Sequence, residues 1–169
     1  MKTRSEQLRR VRILIGLVIV GLVASGLTAI PLLRESAQLE RFVRVSGFPS
    51  FVSAWTARVH EGLEKTYAAY PFIAYGTDWL AFGHLVIALF MIGAFVDPVR
   101  NIWTVRAGMI ACVFVIPTAL ICGAIREIPL WWRGIDSLFG VIGFIPLWLA
   151  WRMIRGLPYV TEKPLFLPS

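Results

Sequence analysis

Few side chains in this 169-residue sequence could do acid–base or ligand chemistry, and those that could are set among apolar neighbours. His84 lies inside the run Trp79-Leu80-Ala81-Phe82-Gly83-His84-Leu85-Val86-Ile87, and Arg133 and Asp136 lie in another apolar stretch that ends near Ile154. An imidazole, a guanidinium and a carboxylate are costly to place in hydrocarbon unless each has a partner or a job, so such residues face a protein interior or a cavity. Together His84, Arg133 and Asp136 could carry a proton or hold a polar ligand, with Asp78 and Arg126 nearer the rim. The same residues also suit a polar clamp between helices, a kind of contact worth ~1 kcal/mol or less in membranes. Both readings stay open here. Arg133 precedes Asp136 by three residues, a spacing that allows a pair on one helix face. Asp78 and His84, six apart, fall on different faces, and Asp78 after Gly76-Thr77 also reads as a helix cap.

Other chemistries find less support. His84 could ligate a haem iron axially, but the second histidine, His60, lies outside the apolar runs. Trp79, Phe82, Trp131 and Trp132 would suit a quinone ring, although aromatic belts at a membrane surface have the same composition. No cofactor is therefore assigned. Cys112 and Cys122 are ten residues apart in one apolar run, ~15 Å along a helix and too far for a disulfide. No Cys/His cluster suggests a metal, and no Gly-x-Ser-x-Gly elbow, His-Glu-x-x-His pair or phosphate-cradling glycine loop suggests a hydrolase. Gly140 and Gly143 read as close helix packing, since no strand precedes them.

The elements that must position these residues follow from composition. The chain is 57% hydrophobic and 16% charged with mean hydropathy +0.71, against roughly 45–50% and about 25% for soluble domains. Its apolar residues fall in blocks, and a segment apolar on every side belongs in lipid. The expected fold is an all-α integral membrane protein, one domain over residues 1–169: a bundle of four transmembrane helices over about 11–33, 78–96, 107–125 and 133–154, with an outer amphipathic helix over about 50–68. The first block is too long for the ~7–15-residue core of a cleaved signal peptide and reads as a signal anchor. Gly21, Ser25 and Ala29 make a small-residue stripe on it, and Pro31 ends or kinks it.

Between Arg34 and Gly76 the sequence is mixed, but Phe51, Val52, Trp55, Val59 and Leu63 recur at helical spacing. That helix is too charged to span, and it suits either the bilayer surface or a cap over the bundle. Thr77 or Asp78 is expected to cap the second span. Asp97-Pro98 is expected to open the third helix, and Pro129 the fourth. Pro117 and Pro146 should bend the helices that contain them, and packing is expected at Gly21, Gly83, Gly93, Gly108, Gly140 and Gly143. The tail beyond Arg155, with Pro158, Pro164 and Pro168, is expected to be extended.

The net charge of +7 and pI of about 10.1 come from basic residues that flank the apolar blocks, so nucleic acid is not an expected partner. The densest cluster, Lys2, Arg4, Arg9, Arg10 and Arg12, precedes the first span and sets an orientation with both ends in the cytoplasm. The expected setting is a bacterial inner (cytoplasmic) membrane, multi-pass, with the lipid bilayer and a membrane-protein partner or second copy as contacts. The expected function is a non-enzymatic accessory or interaction subunit. The alternatives are a small proton-coupled transporter using His84 and Asp136, and an electron-transfer subunit binding haem or quinone.

Overall fold

The computed structural model describes residues 3–157, and among them there is no strand. The helices are α1 (Arg4–Ala29), α2 (Leu32–Val45), α3 (Ser50–Ala69), a single 3-10 turn (Pro71–Ala74), α4 (Tyr75–Val96), α5 (Ile102–Ile125) and α6 (Leu130–Arg155). Four of them, α1, α4, α5 and α6, are long and apolar enough to cross a membrane. The extended tail expected beyond Arg155 lies, from residue 158 on, outside the described residues.

Several boundaries differ from expectation for local reasons. The first helix starts at Arg4, not near residue 11, because Thr3 and Glu6 form a capping box: the Glu6 N–H donates to Thr3 Oγ1 at 3.4 Å and the Thr3 N–H to Glu6 Oε2 at 3.3 Å. It ends at Ala29, and Pro31 precedes α2 instead of closing a span at residue 33. A separate helix, α2, occupies the start of the stretch read only as mixed. The second span starts at Tyr75, running directly out of the 3-10 turn. Thr77 therefore lies inside α4 and donates its hydroxyl to the Ala74 carbonyl at 2.7 Å, and Asp78 stands in the first turn without capping it.

The Asp97-Pro98 start is realised for one turn only. Asp97 Oδ1 accepts the Arg100 N–H at 3.1 Å, and the Asn101 N–H reaches the Asp97 carbonyl at 3.1 Å. Asn101 then breaks the run with φ −100° and ψ 27°, while its side-chain amide donates to the carbonyls of Gly93 and Asp97 at 3.0 and 2.9 Å. The helix proper begins at Ile102. Pro129 directly precedes α6, as expected, and α5 and α6 continue through Pro117 and Pro146.

The chain forms two compact units. One takes its described residues from Met1–Ile19 and Leu89–Ser169, the other is Val20–Ala88. In the first, α5 and α6 form an antiparallel pair whose contacts step along both helices. The Cβ of an alanine at Gly108 would meet Leu147, at Gly143 it would meet Cys112, and at Gly123 it would meet Arg133. The tightest point is Gly140, where an added Cβ would lie 2.4 Å from the Cys112 carbonyl oxygen. Only glycine lets the two backbones come this close. Val11, Ile15, Met91, Ala94, Val105, Leu147 and Ala150 are buried in this unit. Arg12 serves it as a cap, donating to the last carbonyls of α4, Phe95 and Val96, at 3.2 and 2.9 Å.

In the second unit α2 and α3 make a helical hairpin turned at Gly47, whose φ of +68° is the left-handed value that glycine adopts without strain. Its buried residues are few and small, two of them polar: Ser36, Val43 and Thr56. The large apolar residues of α2 and the turn face outward, with Leu39 41%, Phe42 60% and Val45 80% exposed. The end of α1 in this unit packs on the start of α4 at Gly26, where an added Cβ would lie 3.0 Å from the Ala81 carbonyl and 3.2 Å from His84 Cβ. The expected packing positions Gly21 and Gly83 have nothing within 4 Å.

Candidate functional site

Of the five residues singled out, His84 and Asp78 belong to the Val20–Ala88 unit, and Arg126, Arg133 and Asp136 to the other. His84 is half-buried where α4 crosses α1. Its Nδ1 lies 2.8 Å from the Leu80 carbonyl, one turn back on the same helix. A carbonyl can only accept, so Nδ1 carries the proton, and in the neutral ring Nε2 is the acceptor. Asp78 is exposed in the first turn of α4, where its negative charge suits the positive end of the helix dipole.

Arg133 does not pair with Asp136. Its stem crosses α5 over Gly123, where an added Cβ would lie 2.6 Å from both Cγ and Cδ. Its Nη1 then donates to the Leu120 carbonyl at 3.2 Å, while Nε is buried without a hydrogen bond. The guanidinium thus sits near the C-terminal end of α5, which attracts cations. Arg126, the exposed residue just past that end, contributes a second positive charge there. Asp136 is half-buried and forms no hydrogen bond or ion pair with the described residues. The Arg126–Arg133 part of the expected cluster is therefore a cationic helix end, and Asp136 stands apart from it.

His60, the other histidine, is held in the α2–α3 hairpin. Its Nδ1 lies 3.0 Å from Ser36 Oγ, and Ser36 Oγ donates its only proton to the Leu33 carbonyl at 2.8 Å. The His60 ring is accordingly the donor to Ser36. The two residues are 24 apart in sequence, and no local spacing points to their contact.

A group of residues at the other end of α5 and α6 escaped the sequence reading. The Arg106 and Arg155 guanidinium carbons lie 6.0 and 5.0 Å from the centre of the Trp151 ring, and that of Arg152 lies 5.0 Å from the Trp148 ring. These are cation–π distances. Two of the three pairs, Trp148–Arg152 and Trp151–Arg155, are one helical turn apart, a signal legible in sequence. Among the described residues no group of three or more His, Cys, Asp or Glu could hold a metal ion. In comparison with known proteins, no family model, no curated protein and no solved structure matches this chain.

Proposed function

We propose that this chain is a non-catalytic interaction subunit of a bacterial inner membrane, crossing it with α1, α4, α5 and α6, with both ends in the cytoplasm. The observation that carries the interaction role is the state of the small-residue stripe on α1. Gly26, one helix face over, takes the internal contact with α4. Gly21 and Ser25 are exposed, and nothing approaches Gly21 within 4 Å. In lipid, where apolar burial gives no drive for association, an open stripe of this kind is what allows another helix to come close. The α2–α3 hairpin lies on the outer bilayer surface in this reading. Its support is that Leu39, Phe42, Val45, Phe48 and Phe51 are exposed while Ser36 and Thr56 are buried, the reverse of a hairpin made for water.

The test is disulfide crosslinking in native membranes of Ser25→Cys, with Cys112 and Cys122 replaced by alanine. The expected result is one discrete product larger than the monomer, lost when Gly21→Ile is added. Monomer alone, or a product indifferent to Gly21→Ile, rejects the interaction role.

A second reading, a proton-coupled carrier, draws on Asp136, a half-buried carboxylate on α6 that accepts no hydrogen bond from the described residues. It requires that Asp136→Asn abolish proton uptake by vesicles containing the purified protein. Equal uptake in that variant removes it.

A further inference from the structure

We propose that the groove between α5 and α6 binds one anionic phospholipid, with its phosphate held at the end of the groove where Arg106 and Arg155 approach Trp151, and an acyl chain lying along the groove. The inference rests on the reading that these helices span a bilayer. The groove has a volume of about 340 Å³. Its walls are apolar, with Met109, Val113 and Phe114 from α5 and Phe144 from α6, and Arg106 and Trp151 lie at one end. From Arg106 to Phe114 is eight residues, ~12 Å of helix. Half of a ~30 Å hydrocarbon core is ~15 Å, so the groove has the length of one leaflet.

The charges choose the occupant. Arg106 and Arg155 both approach the Trp151 ring, and Arg152 lies one turn from Trp148 on the same helix. None of these arginines pairs with a carboxylate among the described residues, where the ion pairs are Arg44–Glu40, Lys65–Glu61 and Arg100–Asp97. Helix α5 contains no acidic residue, and the only one in α6 is Asp136, ~22 Å along the helix from Trp151. Guanidiniums without a carboxylate partner at one end of the groove attract an anion, and the guanidinium fork matches phosphate oxygens. An anionic lipid places its charge at the surface and its chain below, as the groove does.

The experiment is native mass spectrometry of the full chain, delipidated in neutral detergent and titrated with phosphatidylglycerol or phosphatidylcholine of the same chain length. The expected result is a single bound phosphatidylglycerol, preferred over phosphatidylcholine about tenfold, as a lost charged contact of ~1.4 kcal/mol implies. Arg106→Gln with Arg155→Gln should reduce the preference to within about twofold while phosphatidylcholine binding is kept. Val113→Trp, which fills the groove and keeps both arginines, should weaken both lipids together. Equal binding of the two lipids by the unsubstituted chain overturns the proposal, and so does a preference that survives loss of both arginines. Failure of the spanning reading is seen separately, as release of the chain from membranes by alkaline carbonate without detergent.

Discussion

Replacing Gly140 with alanine puts a methyl group where α5 and α6 touch. The added carbon would lie 2.4 Å from the Cys112 carbonyl oxygen and 3.1 Å from Val115 Cβ. The first neighbour is backbone and cannot rotate away, so the helices must separate by roughly an ångström, enough to lose a quarter to a half of the dispersion energy along the seam. Overpacking of this kind costs about 1–3 kcal/mol, and a backbone clash belongs at the upper end. Alanine returns about 1 kcal/mol through its better helix propensity. The net expectation is a loss of about 2 kcal/mol. Gly134, on the same helix with nothing within 4 Å, supplies the control: Gly134→Ala has only the propensity term and should gain up to about 1 kcal/mol. The assay is denaturation of both variants in one detergent, followed by circular dichroism. A Gly140→Ala protein as stable as Gly134→Ala would refute the claimed backbone approach.

Three further outcomes follow from local geometry. Glu127 has φ 57° in the turn closing α5, where the Ile128 N–H returns to the Gly123 carbonyl. Glycine there removes about 1–2 kcal/mol of left-handed strain against an unfolded-state cost of ~0.4–1, so Glu127→Gly should raise stability by up to about 1.5 kcal/mol in the same denaturation. Arg12→Ala strips two donors from the end of α4, and because the side chain is exposed the loss should be about 1 kcal/mol in the same assay. The Glu61 carboxyl is held below its ordinary value by its hydrogen bond to Lys65 and then by that residue's charge, while Lys65 is raised by the same contacts with Glu61. The pair's support for α3 is therefore complete between the two ordinary values. It fades as pH falls through the lowered carboxyl value, and again as pH rises through the raised ammonium value. NMR titration of Lys65→Met should show the Glu61 midpoint moving upward, and high salt should do the same in the unsubstituted chain.

The long helices are readable because an apolar block needs no tertiary information: each of the four runs is too apolar to be stable in water on any face. Pro129 marks its helix start for a similarly local reason, a fixed φ and a missing N–H at a place where neither matters. The failures have local causes too. Helix α2 carries a legible period, Leu32, Leu39, Phe42 and Val43 on neighbouring turns, but its charged positions mask it, and its packing inverts the usual order: Ser36 is buried with Val43 while Leu39, Phe42 and Val45 point outward. The start of α5 moves to Ile102 because Asn101 spends its amide on carbonyls of the preceding helix, a contact eight residues back that spacing rules do not weigh. At the site, residue type identified Arg133 and Asp136 as unusual, but not that Gly123 would route the arginine to the Leu120 carbonyl. The Trp148–Arg152 and Trp151–Arg155 spacings were visible. Their meeting with Arg106 depends on the antiparallel register of α5 and α6, which is set by the glycines between them.

The proposed four crossings with both ends in the cytoplasm can be read from thiol accessibility in intact cells. Single cysteines at Thr3, Arg100, Gly156 and Glu61, in a chain with Cys112 and Cys122 replaced by alanine, are exposed to a membrane-impermeant maleimide. Glu61→Cys should be labelled from outside, and Thr3→Cys, Arg100→Cys and Gly156→Cys only after the cells are opened. Labelling of Thr3→Cys and Gly156→Cys from opposite sides would contradict that topology.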